Sequence, residues 1–192
     1  MTHMQSLIAS FALALLVTAC AGVPVAEVRN SLASAKPCCS SYAQLQFKPL
    51  PPGERTKIEL STSSPVFPLS VGSAYVEALA LPPSVSFLVI QALNTEYLPK
   101  ATYPDPIFIF LDAAKQPIAE EKELPIQWNR HQVFPALYEY YYGARVAVPA
   151  AARFVVVSAH PNSSRVQVAI AELGNRWPVH PAPVGTIALV PQ

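Results

Sequence analysis

Four groups of residues have the type and spacing for chemistry: a lipobox, a cysteine pair, an aromatic cluster and a carboxylate run. The first is Val17-Thr18-Ala19-Cys20, an aliphatic residue and two small ones leading to a thiol. Lipoprotein signal peptidase reads that order. Small side chains fit its cleft, and the thiol accepts a diacylglyceryl group before cleavage. Residues 7–19, LIASFALALLVTA, are an apolar run of signal-peptide length, too short to span a bilayer comfortably. The expectation is a signal peptide over residues 1–19 and lipidation at Cys20. An ordinary signal peptide beside an unrelated cysteine is the alternative, and the start MTHMQS, which lacks Lys and Arg, favours it.

Each buried acyl methylene contributes ~0.8 kcal/mol, and two or more chains anchor stably. Cys20 would therefore tie the protein to a membrane. Ala21, rather than Asp, follows the lipid-bearing residue. By resemblance to enterobacterial lipoproteins this points to the outer membrane, with the domain in the periplasm. Residues 21–37, AGVPVAEVRNSLASAKP, are small and polar. They read as a flexible tether, with at most a short helical turn over 25–35.

Cys38-Cys39 follows the tether. Three readings stay open: a vicinal disulfide, strained relative to ordinary bridges; thiols, one meeting a partner chain; or half of a metal site. A metal needs further ligands at a workable spacing. His131, His160 and His180 are isolated from one another, so no metal and no cofactor is expected.

The aromatic cluster is Tyr138-Glu139-Tyr140-Tyr141-Tyr142, with Trp128 and Phe134 nearby. Aromatic faces stack on sugar rings, and Gln127, Asn129 and Glu139 can bond hydroxyls. Tyr and Trp also anchor protein contacts. The bland alternative is that these rings cover one end of the fold. Glu120, Glu121 and Glu123 surround Lys122 and read as a solvated charge run rather than a catalytic pair. Nucleophile elbows, phosphate loops, dinucleotide fingerprints and HExxH are absent from the sequence. A binding protein is expected rather than an enzyme. The net charge of +1 comes without a basic face, which argues against nucleic acid as a partner.

The elements that must carry these groups are short. The chain holds 21 Pro and 6 Gly in 192 residues, and the prolines recur between apolar runs. Pro ends helices and cannot donate within a central ladder. Lys57–Leu60, Ser73–Leu81, Ser86–Leu93, Ile107–Leu111, Ala144–Val148, Arg153–Ala159, Arg165–Ala171 and Thr186–Val190 read as strands. Ser86–Leu93 and Ile107–Leu111 are apolar enough for burial on both faces. Thr186–Val190 reads as an edge strand. The fold class expected is all-β, an antiparallel β-sandwich of about eight strands over 38–192.

Three stretches together resemble the maltose operon periplasmic protein family, often called MalM. They are Cys38-Cys39-Ser40-Ser41 leading into Leu45-Gln46-Phe47-Lys48-Pro49-Leu50; Pro106 to Asp112 with Pro117 beyond; and Gly143 to Ala150 followed by Phe154-Val155-Val156-Val157. The resemblance covers roughly residues 36–172. It implies an envelope protein that accompanies maltose and maltodextrin uptake, binding a maltodextrin or an envelope protein partner. A purely structural outer-membrane lipoprotein without a sugar ligand is the rival.

Overall fold

The computed structural model describes residues 24–95, 100–134, 137–171 and 173–192. The expected signal peptide, Cys20 and the first residues of the expected tether lie outside the described residues.

From Val25 the expected tether gives way to ordered structure. Val25–Ser34 forms an α-helix, α1, directly after Pro24, whose φ of −57° already suits a helix. No side chain caps its first turn. Val28 and Leu32, one helical turn apart, are buried against Val66 and Tyr75. The Arg29 guanidinium donates to the carbonyls of Ser163 and Pro181, each at 3.3 Å. A helix this short is marginal alone, so its docking holds it.

A 3-10 turn at Tyr42–Gln44 leads into the strands. These are β1 (Phe47–Pro49), β2 (Thr56–Leu60), β3 (Val66–Leu69), β4 (Gly72–Ala80) and β5 (Phe87–Leu93). Next come β6 (Thr102–Pro104), β7 (Pro106–Leu111), β8 (Pro117–Glu121), β9 (Gln127–Phe134) and β10 (Leu137–Ala147). The chain closes with β11 (Phe154–Ala159), β12 (Gln167–Ile170), β13 (Arg176–Ala182) and β14 (Gly185–Pro191).

The architecture is all-β, as the sequence implies. One sheet has the order β1-β4-β11-β7-β8, with β3 also on β4; a second runs β2-β14-β5-β10-β9; a third, smaller one runs β12-β13-β6. Pairing is antiparallel except for β1 with β4 and β13 with β6, which are parallel. Ile58, Leu88, Ile90, Ile187 and Leu189 of the second sheet meet Leu79, Phe108, Phe110, Val155 and Val157 of the first. That is the main core. The other face of the first sheet is covered as well: Ile107, Ile109 and Val156 pack with Phe67, Leu69 and Leu45. This is why all six residues of β7 are buried and its sequence does not alternate.

Three strands depart from expectation. β5 is central, yet buries fully only Leu88, Ile90, Ala92 and Leu93, while Phe87, Val89 and Gln91 stay partly open. β14 is interior, pairing with both β2 and β5. Its Pro residue falls at the last position, so no ladder bond is lost before it. In β12 it is Ala169 that is buried, while Val168 and Ile170 face outward. Ala169 joins the main core, and the branched residues face away from it.

The third sheet is tied to the sandwich by an ionic node. Asp105, 5% exposed, accepts from the Arg165 guanidinium and from Ser163 Oγ at 2.6 Å. Arg165 also donates to the Leu124 carbonyl at 2.7 Å, and Tyr103 donates to the Arg165 carbonyl at 2.6 Å. Burial would lower the Arg165 pKa, but the Asp105 charge and hydrogen bond, joined by Tyr103, together raise it.

Candidate functional site

The β9–β10 hairpin outruns its sheet. The β5 ladder with β10 ends at Leu93 opposite Tyr141. β9 and β10 continue pairing beyond that point, to Phe134 opposite Leu137. One backbone bond, Asn94 N–H to the Tyr140 carbonyl at 3.1 Å, supports the overhang at its base. A bulge sits between Leu137 and Tyr138, placing Val133 as the extra residue of β9.

Strand alternation divides the tyrosines. Tyr138, Tyr140 and Tyr142 share one face with Trp128, which stands opposite Tyr142. The rings form a continuous run. Trp128 lies 5.3 Å from Tyr142, tilted by 55°, and 5.3 Å from Tyr140, parallel to within 6°. Tyr138 follows at 6.5 Å from Tyr140, and the Arg130 guanidinium lies 4.8 Å over the Tyr138 ring.

Beneath the overhang is a half-open cleft of about 1370 Å³. Trp128, Tyr138 and Tyr140 form one wall. Ser61, Thr62, Asn94, Thr95 and Asn175 contribute hydroxyl and amide groups. Ile170, Leu173 and Pro24 also line the cleft, as do Val25 and Val28 of α1. Asn94 Oδ1 is closed off from solvent and has no hydrogen-bond partner among the described residues.

Tyr142 and Tyr141 do not line the cleft. Tyr142 is fully buried in the main core, between Trp128 and Tyr103, which is 4.9 Å away. Its hydroxyl has no hydrogen-bond partner among the described residues, and burial pushes its pKa up. Tyr141 is on the opposite face of β10, beside Leu93 and Asn129, outside the cleft. Its ring lies over Gly143, where an added Cβ would come within 3.0 Å of it. Any other residue at Gly143 would crowd that ring.

Glu139 is bound up in charge pairing. It accepts from Arg55 and from Lys57 Nζ at 2.6 Å, and Arg55 Nε also donates to Gln91 at 2.6 Å. Partial burial would raise its pKa, but the two cations prevail and lower it. A carboxylate held ionised in this way is poorly suited to deliver a proton near neutral pH. Glu120 bonds Lys122 at 3.1 Å and Ser70 at 2.9 Å on edge strand β8, outside the cleft.

Cys38 and Cys39 are free thiols, not a bridge. The Cys38 amide donates to the Val66 carbonyl at 2.8 Å, and Cys39 packs against the second core. Partial burial, together with the neighbouring Cys39 sulfur, pushes the Cys38 thiol up to about 11. Among the described residues no three His, Cys, Asp or Glu side chains are grouped to hold a metal ion.

No family model matches the chain, and neither a curated protein nor a solved structure does.

Proposed function

We propose that the protein is a lipid-anchored accessory protein of the bacterial envelope that binds carbohydrate without transforming it. Its ligand class is maltodextrin, and its setting is the periplasmic face of the outer membrane. The observation that carries the reading is the parallel Trp128–Tyr140 pair in the wall of a cleft that also presents hydroxyl and amide groups. The C–H faces of pyranose rings pack on such aromatic surfaces, while hydroxyls bond neighbouring polar groups. Small-molecule sites hold roughly 300–1,000 Å³. At about 1370 Å³ and half-open, this cleft suits several sugar rings better than one.

The anchoring and the maltose connection rest on the lipobox at Cys20, on Ala21 after it, and on the resemblance to the maltose operon periplasmic proteins. Calorimetric titration of maltoheptaose into the mature protein tests the ligand class: saturable heat supports it, and its absence removes it.

A second reading, a structural envelope lipoprotein with protein partners alone, draws on β9. It is the last strand in its sheet, and residues 129–133 are exposed. Such an edge can accept a strand from another chain. Cross-linking in cells that captures one envelope protein through β9, with no heat from any maltodextrin, would favour it.

A further inference from the structure

The cleft is lined in part by exposed aliphatic side chains. Val168 and Ile170, on one side of β12, are 41 and 47% exposed, and Val166, just before the strand, is 47% exposed. Ile170 lines the cleft together with Val133, 46% exposed, and Leu173, 91% exposed. Scattered surface aliphatics need no explanation, but three exposed ones lining one cleft, with Val166 and Val168 beside Ile170 in sequence alternation, mark a contact surface.

The chain that leads to Cys20 leaves from the same place. Pro24 and Val25 line this cleft. Cys20 precedes Pro24 by four residues, a span of at most about 14 Å for a fully extended chain. A domain of this size is roughly 40 Å across, judged from its expected radius of gyration. An acylated Cys20 therefore lets only the side bearing Pro24 approach the bilayer closely.

We propose that Val133, Val166, Val168, Ile170 and Leu173 form the surface by which the domain rests on the lipid bilayer, so that the cleft opens along the membrane. The proposal depends on acylation at Cys20, as put forward above. The acyl chains supply attachment, and the exposed aliphatic side chains set orientation. A sugar chain emerging at the membrane would then meet the aromatic wall side-on.

The test uses the full acylated chain in vesicles of phosphatidylethanolamine and phosphatidylglycerol. A photoreactive p-benzoylphenylalanine replaces Leu173 in one variant and Ile118 in another. Ile118, 41% exposed on edge strand β8, lies outside the cleft and serves as the reference. After irradiation, mass spectrometry reads phospholipid adducts and the acyl mass on Cys20. Phospholipid adducts several-fold more abundant at 173 than at 118 are expected. Equal yields at both positions, or adducts at 173 only to a second copy of the chain, overturn the orientation while leaving the anchor standing, provided the acyl mass is present. A chain without acyl mass on Cys20 overturns both the anchor and the bilayer contact.

Discussion

Trp128 and Tyr140 lie on adjacent strands with ring centroids 5.3 Å apart and planes parallel to within 6°. Neither ring is sealed into the core: Trp128 packs against it partly buried, and Tyr140 lies just past the end of the β5 ladder. Tyr142, two residues further along the same face, is sealed. The same ladder thus supplies a buried ring, Tyr142, and partly open rings that line the cleft.

The buried end of that ladder carries an excess polar group. A hydroxyl removed from water without a partner costs about 1–3 kcal/mol. Tyr142→Phe should therefore leave stability unchanged or raise it, by up to about 1 kcal/mol, as read from the midpoint of urea unfolding. Tyr142→Ala should cost about 3–5 kcal/mol through the cavity left behind. A Tyr142→Phe protein clearly less stable than the parent would mean the hydroxyl is bonded.

The node at Asp105 should behave in the opposite way. Asp105→Ala leaves the Arg165 guanidinium without its carboxylate, and breaking a buried pair by removing one partner costs about 3–5 kcal/mol. Arg165 is partly exposed, so the lower end is expected. The Asp105→Ala, Arg165→Met double variant should recover part of the loss, which an unfolding cycle measures.

Glu139 gives the pH dependence. Its folded pKa is lowered by Lys57 and Arg55 against the opposing effect of burial. A group depressed in this way stabilises the fold above its unfolded pKa. That stability is lost as pH falls through the lowered value. The acid limb of the stability curve should flatten in Glu139→Gln, with the pH dependence of the difference confined to values below the ordinary carboxylate pKa. A difference that persists unchanged down to strongly acid pH would contradict the pairing.

Cys38 should alkylate slowly. With its thiol pushed up to about 11, roughly a thousandth is thiolate at pH 8. In a Cys39→Ser variant, iodoacetamide should modify position 38 faster than in the parent, because the neighbouring sulfur no longer raises the pKa. A parent Cys38 that reacts as fast as free cysteine, read by peptide mass mapping, would exclude this environment.

Much of the sandwich is legible in the sequence because its strands keep one rule each. Ile58 and Leu60 alternate with Lys57 and Glu59, and the strand they form is half-buried in just that pattern. The unbroken apolar run ending at Leu111 announces burial on both faces, and β7 has it. The β12 region misleads, because exposed Val166, just before the strand, and Val168 and Ile170 in it mimic a core face. The docking of α1 is hidden because two buried residues, Val28 and Leu32, are too few to give a periodic signal. In the cluster at 138–142, a strand period of two is enough to put Tyr141 and Tyr140 on opposite faces. The pairing of Arg55 and Lys57 with Glu139, and of Asp105 with Arg165, has no such signal, since residues far apart in sequence carry no local mark of their meeting.

The central claim is that the Trp128–Tyr140 wall binds sugar. Maltoheptaose should be titrated by calorimetry into the mature protein and into Trp128→Ala, Tyr140→Ala and Tyr141→Ala variants shown to be folded. Saturable heat is expected for the parent and for Tyr141→Ala, whose ring faces away from the cleft. Trp128→Ala and Tyr140→Ala should each weaken binding by at least about tenfold, or ~1.4 kcal/mol. No heat from the parent, or equal affinity in all four proteins, would contradict the account.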